Sequence, residues 1–330
     1  LGSIRLAEAL AEPFPARVLD YLDRHAAAGL AVGHVNDLAP GTAAVLAAQA
    51  TGERRYLDLV VPFIEWVRSS PHASRAANGA LEHWPGAIWA DTVFMAGVFL
   101  GHVGAATGDP ELLEACGRQL VAHAEVLQHP ESGLFAHGSY RGETIWCFWG
   151  RGNAWSALAA AEFLELAAAS PAVPAGLLEA VGQGLRRQLT ALALLQPAHG
   201  VWDVLVDGQP ETAGVLETSA AAGLGAAALR AVAVLPDLLP FAIGLIERAV
   251  ADLTAAGRIE RRGAVLTTPG WQPVVSAQDA VHLGEMLLAD RLVDRRFGRE
   301  EAIDVGRRHA ERARDIGNRR LGVAHAEELL

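Results

Sequence analysis

AIWADTVFMAGVFLGHV, residues 87–103, is apolar at nearly every position, yet its opening turn holds one carboxylate, Asp91. As a membrane span it would have to sink Asp91 and then His102 into hydrocarbon, where charged and polar groups are costly. As a core helix of a large helical protein it meets no such penalty, because its apolar faces pack on other helices. The other helical segments carry a distinct polar face. The stretch therefore reads as a buried helix, and no membrane partner is expected.

The rest of the chain agrees with that reading. Of 330 residues 51% are hydrophobic, enough for a sizeable core, and Ala, Leu and Gly outweigh the β-branched and aromatic types. Straight-chain and small residues lose little rotamer freedom in a helix, so an all-α fold is expected. Helical periodicity marks segments at about 4–27, 39–50, 53–69, 88–107, 110–128, 151–168, 174–194, 214–233, 237–255, 276–292 and 300–315. The expected organisation is one domain over 1–330, with an atypical helical extension from about residue 292.

Two internal echoes pair these helices. Ala50-Thr51-Gly52-Glu53 and Ala106-Thr107-Gly108-Asp109 each close one helix with glycine and open the next with an acid, which suits a helix N-terminus. HPESGLFAHG (129–138) and QPAHGVWDVL (196–205) share Pro-x-x-Gly-apolar-aromatic: proline stops a helix, glycine turns the chain and the aromatic restarts an extended segment. A hairpin period near sixty residues exceeds that of the common solenoid units and points to a closed ring, an (α/α)6 barrel.

Several function classes fall away. A net charge of -11 leaves no concentrated positive patch for nucleic acid. Cys116 and Cys147 form no CxxC pair or zinc-type cluster, and neither a GxxxxGK[ST] loop nor a GxSxG elbow occurs, so no metal or nucleotide cofactor is expected. The first twenty residues interleave acids and prolines where a secretory signal needs a continuous apolar core, so a cytoplasmic location is expected.

Of eight tryptophans, Trp84, Trp89, Trp146, Trp149, Trp155, Trp202 and Trp271 fall in or beside loops, where aromatic faces can stack on sugar rings. Beside them stand Asn36 and Asp37, His83, Asp91, His137, Arg151 and Asn153, and Glu217, each near a helix start. If the helices alternate in direction, the inner starts converge on one mouth of the barrel. Asp37 and Glu217 have a plain alternative as helix-terminal acids, and single histidines are more often structural. A buried Asp91 would have a raised pKa suited to general acid work. WGRGNAW (149–155) sets Arg151 between two tryptophans, and a guanidinium so placed matches a carboxylate, such as that of an acidic sugar.

Taken together, IWADTVFMAGVFL, GLFAHG and WGRGNAW resemble the unsaturated rhamnogalacturonyl hydrolases of glycoside hydrolase family 105, relatives of the unsaturated glucuronyl hydrolases, over roughly residues 30–225. The resemblance implies an (α/α)6 barrel that needs no cofactor. Its substrate would be a lyase-made oligosaccharide ending in an uronic acid with a C4=C5 double bond, unsaturated galacturonic acid on rhamnose being the expected pair. It implies that Asp91 is the general acid/base and Asp37 the assisting acid. His137, Trp149, Arg151 and Trp155 would line the sugar pocket, with Trp89 as a wall and His83 nearby. Another toroid enzyme, an epimerase or an inverting glycosidase, and a sugar-binding toroid without turnover remain the alternatives.

Overall fold

The computed structural model describes residues 1–238 and position 242. The helices expected over 276–292 and 300–315, nearly all of that over 237–255, the extension from about 292 and Trp271 lie outside the described residues.

The described helices are α1 (Gly2–Leu10), α2 (Ala16–Ala28), α3 (Ala39–Thr51), α4 (Arg55–Asp58), α5 (Val61–Ser69), α6 (Phe99–Thr107), α7 (Pro110–Leu127), α8 (Gly150–Ala168), α9 (Ala175–Leu195) and α10 (Thr218–Val234). Two expected helices are each divided. The one over 4–27 breaks into α1 and α2 where Ala11 turns left-handed at φ 56° and Pro13 and Pro15 follow. The one over 53–69 breaks into α4 and α5 because Pro62, near the start of α5, has no N–H to continue the ladder. The segment from 88 also begins differently. Ala87–Trp89 is a strand, β1, paired antiparallel with β2 (Gly138–Tyr140), which pairs in turn with β3 (Glu143–Ile145). A π-helical stretch, Val93–Val98, then runs into α6. Asp91 thus sits where a strand becomes a helix.

Helices α3, α6, α8 and α10 are built almost wholly of small and apolar residues, and each packs on the next in that order. Helices α7 and α9 have one buried and one exposed face and lie behind α6 and α8, to which each is joined as a hairpin. An inner helix is buried on both sides and an outer one on one side only, which is the difference in patterning that the sequence carries. Together they form an α/α toroid. The abundance of Ala and Gly has a packing reason. A Cβ on Gly104 would come within 2.5 Å of the Leu113 backbone nitrogen, and one on Gly223 within 2.8 Å of Ala154 Cβ. Leu22, Leu38, Phe63, Phe99, Phe163 and Leu185 fill the core between the layers. A smaller cluster of Ile88, Leu127 and Phe135 lies beside the sheet.

Both echoes correspond to matched turns. Gly52 and Gly108 close α3 and α6 in the left-handed region at φ 73° and 72°, while Thr51 and Thr107 each donate a hydroxyl to the carbonyl four residues back at 2.8 Å. Asp109 then caps α7 by accepting from the Glu111 and Leu112 amides. At the opposite turns Gly133 and Gly200 have φ 78° and 86°, and their carbonyls accept from the side-chain amides of Gln128 and Gln196 at 2.9 Å. Among the described residues no helix is long and apolar enough to cross a membrane.

Candidate active site

The starts of α8 and α10 meet through Arg151 and Glu217, and the turn before α3 packs on the Val93–Val98 stretch before α6. Pairing of Trp89 with Gly138 and donation from the Ala90 amide to the His137 carbonyl at 3.0 Å bring the GLFAHG loop beside Asp91. Gly138 is required at this place, because a Cβ there would stand 2.8 Å from Trp89 Cδ1. The indole therefore lies across the strand, 5.0 Å from the His137 ring between centroids.

Asp91 Oδ2 and His137 Nδ1 face each other at 3.8 Å, and neither atom has a hydrogen-bond partner among the described residues. The Asp91 side chain is only 18% exposed. Burial raises its pKa above the ordinary carboxylate value, against opposing pulls from His137 and Arg151. Burial also lowers the pKa of His137, with Asp91 acting in the other direction. The arrangement keeps a proton on the carboxyl at pH values where an exposed Asp has lost it.

Trp149 caps α8 from the other side, its ring edge-on to His137 at 4.9 Å, and the Arg151 guanidinium lies over the same indole at 4.2 Å. Arg151 Nη1 donates to Glu217 Oε1 at 2.7 Å. The Arg151 backbone amide reaches Glu217 Oε2 at 3.3 Å. Glu217 is the N-cap residue of α10, so one carboxylate ties the starts of two inner helices together. Burial raises its pKa, while Arg151, Ser219 and Trp149 oppose the shift. Arg151, expected to wait for a substrate carboxylate, is thus anchored to a protein carboxylate first. Trp155, one turn beyond Arg151, packs on Phe94 with centroids 4.7 Å apart, and Phe94 is one turn beyond Asp91.

His83 is buried behind Trp89, its ring stacked on the indole at 4.4 Å and 11° and its Nδ1 3.0 Å from Thr92 Oγ1. Burial, followed by neighbouring histidines, lowers its pKa to about 4, so it is neutral at pH 7. Its position is that of a backing for Trp89. The ring contacts continue outward through His34, 4.8 Å from His83, to the exposed Trp84, 4.0 Å from His34.

Asp37 is exposed on the 3-10 turn Val35–Leu38, whose Val35 and Leu38 are buried and which packs against the Val93–Val98 stretch. Its Oδ2 accepts from the Gly33 and His34 amides at 2.9 and 3.0 Å, which is a capping arrangement. Asn153 is fully buried and structural. Its amide bonds both the N–H and the carbonyl of Phe135 at 2.9 Å, and its Oδ1 also accepts from Gln188. It thereby fastens the loop that carries His137. Trp202 does lie in a loop, but it is wholly buried and donates its indole N–H to the Leu192 carbonyl at 3.2 Å, so it packs the core and offers no face to a sugar.

The sequence places Glu217 among the polar candidates near helix starts, with a plain alternative as a helix-terminal acid, and does not single out His34, Thr92 or Phe94. Thr92 and Phe94 stand in the helical repeat beside Asp91, but what each touches depends on partners far along the chain. Among the described residues no group of three or more His, Cys, Asp or Glu side chains is arranged to hold a metal ion.

A helical toroid whose inner helix starts gather a protonatable carboxyl, aromatic walls and an arginine defines a carbohydrate-active class of protein. Residues 8–268 match Glycosyl Hydrolase Family 88, and the chain belongs to that family. It is 30% identical over 218 residues to the unsaturated rhamnogalacturonyl hydrolase YesR of Bacillus subtilis (strain 168); the matched region is 63% of this chain, and the chain spans 61% of that relative's length. Solved structures of possible GH105 family members from Salmonella enterica serovar Paratyphi A and Klebsiella pneumoniae share the fold. The first has a TM-score of 0.68 at 24% identity, covering 84% of this chain and 77% of the other. The second has a TM-score of 0.67 at 24% identity, covering 89% and 79%. The resemblance read from the three motifs is thereby supported.

Proposed function

We propose that the protein removes an uronic acid carrying a C4=C5 double bond from the non-reducing end of a lyase-made oligosaccharide, with galacturonic acid linked to rhamnose as the first substrate to try. The observation that carries the reading is Asp91, a buried carboxyl of raised pKa whose Oδ2 faces His137 between the walls Trp89 and Trp149. In this reading Asp91 gives its proton to C4 of the vinyl ether and then takes one from the water that adds at C5. The hemiketal so formed opens, releasing the neighbouring sugar and a keto-uronate. Trp89, Trp149 and Trp155 supply apolar surface for the sugar rings, His137 a ring nitrogen, and Arg151 a guanidinium for the substrate carboxylate. His83 acts through Trp89. Asp37 assists from the rim, and both of its backbone bonds go to Oδ2.

The test follows the ultraviolet absorbance of the double bond during incubation with unsaturated galacturonyl-rhamnose. Absorbance should fall as keto-uronate forms, and Asp91→Asn should abolish the fall while leaving binding in place. Folded wild-type protein that leaves the absorbance unchanged across several unsaturated uronides would sink the reading. Asp37→Asn is expected to lower kcat more than tenfold; a change in Tm alone would reduce Asp37 to a cap.

A further inference from the structure

Among the described residues Glu217 is the least exposed charged group at this end of the toroid, and nothing in the reaction proposed above uses it. It touches that reaction through Arg151 and through a side-chain hydrogen bond with Trp149. The contacts form one chain: Glu217 Oε1 to Arg151 Nη1 at 2.7 Å, guanidinium over Trp149 at 4.2 Å, Trp149 edge to His137 at 4.9 Å, and His137 Nδ1 to Asp91 Oδ2 at 3.8 Å. Ser219 Oγ donates to the same Glu217 oxygen at 3.1 Å, and a Cβ on Gly150 would stand 3.4 Å from Oε2. The carboxylate is therefore held from several sides.

We infer that Glu217 is the positioning residue of the site: it pins Arg151 against Trp149 and offsets the guanidinium charge, so that Arg151 can meet a substrate carboxylate without stripping the proton from Asp91. The inference rests on Asp91 being the proton donor. Its physical basis is that a cation near a carboxyl favours the ionised form, and a carboxylate bound to that cation weakens its field. Among the described residues, few other groups around Asp91 could exert such control. His137 faces it from the loop before β2, and Arg151 pulls on it from α8. His83 stands behind Trp89, and His34 and exposed Asp37 lie on the turn packed against Val93–Val98. Glu217 is the carboxylate in hydrogen-bond contact with the guanidinium that acts on Asp91.

The experiment compares wild type, Glu217→Gln and Arg151→Gln by the pH dependence of kcat/KM and by NMR titration of the His137 imidazole. In Glu217→Gln the uncompensated guanidinium should move the descending limb of kcat/KM, and the His137 midpoint, to lower pH by about half a unit or more. In Arg151→Gln the carboxylate is left behind and both should move to higher pH. Glu217→Gln added to Arg151→Gln should bring both back down toward wild type, because the double variant has lost one charge of each sign. Profiles that superimpose on wild type, with only Tm changed, would show a merely structural carboxylate and overturn the inference. If Glu217→Gln does not fold, Arg151→Gln alone decides, since an unmoved midpoint contradicts the offset. The NMR arm needs no turnover, so an inactive wild type would defeat the proposed reaction while His137 still reports on Glu217.

Discussion

Among the described residues no basic nitrogen lies within hydrogen-bond reach of Asp91 Oδ2, and that separation sets its chemistry. His137 Nδ1 at 3.8 Å is too far for a hydrogen bond, so burial prevails and the carboxyl holds its proton more tightly than an exposed Asp. The sign for stability follows. A carboxyl whose folded pKa lies above its unfolded value favours the folded state at low pH, and that contribution is lost as pH rises through the folded pKa. Asp91→Asn, which cannot ionise, should therefore raise Tm at pH 7 relative to wild type. The difference should shrink as pH drops below the ordinary carboxylate range. Thermal melts at pH 7 and pH 4 check this, and a variant with lower Tm at both would show that the native carboxylate is stabilised instead. Asp91 was conspicuous in the sequence because a charge interrupts an apolar run. Glu217 is a candidate in the sequence too, but its role is not legible there, because an acid at a helix start is ordinary and its partner Arg151 lies 66 residues away.

At the scale of elements, the site depends on two short connections and one buried amide. The turn at Ala90, between β1 and the helical residues Asp91 and Thr92, lets Trp89 stay extended against Gly138 while Thr92, three residues on, reaches His83. No periodicity marks that strand, because three residues cannot establish a period of two and the following apolar run masks the start. Asn153 was grouped with the polar residues at the helix starts, but it closes the loop around Phe135 instead. Asn153→Ala would leave the Phe135 N–H and carbonyl buried without their partner, and should cost about 2–4 kcal/mol of stability. The loop carrying His137 should loosen with it, which urea unfolding and amide exchange at residues 134–138 would detect. Unchanged exchange there would mean that backbone pairing alone holds the loop.

For the whole molecule, a second buried polar group matters more to stability than the site does. Glu162 on α8 is 4% exposed and takes His102 Nε2 of α6 at 2.7 Å and Arg5 Nη2 of α1 at 3.1 Å, with Arg230 Nη2 of α10 at 3.8 Å. Burial alone would raise its pKa, yet the His102 bond and then Arg230 and Arg5 bring it down to about 2. Four helices thus share one carboxylate, and Glu162→Gln should destabilise the fold by about 3–5 kcal/mol. Loss of stability in acid should come in two windows. His83 and His123 are buried, and each is lowered to about 4 by that burial. Unfolded histidines bind protons that the folded ones refuse, so stability falls from about pH 6.5 towards 4, by up to roughly 3 kcal/mol for each. Glu162 adds its own loss below the ordinary carboxylate range. Urea midpoints across pH 3–8 test both windows, and a midpoint flat between pH 6.5 and 4 would contradict the histidine part.

The sequence by itself determined the helical class, the hairpin period and the cost of calling residues 87–103 a membrane span. Those follow from local patterning: small and apolar residues at helical spacing, Thr-Gly closures, and Pro-x-x-Gly turns whose glycines adopt positive φ. It also marked Asp91, His137, Trp149 and Arg151 as unusual in their surroundings. Only the tertiary structure decided which of them meet, because Asp91, His137 and Glu217 are separated by tens of residues and are joined by the convergence of inner-helix starts. It sorted look-alikes as well, sending Trp202 and Asn153 into the packing and setting Trp89 and Trp149 across from each other. Burial and pairing, unlike residue type, are properties of the whole assembled ring.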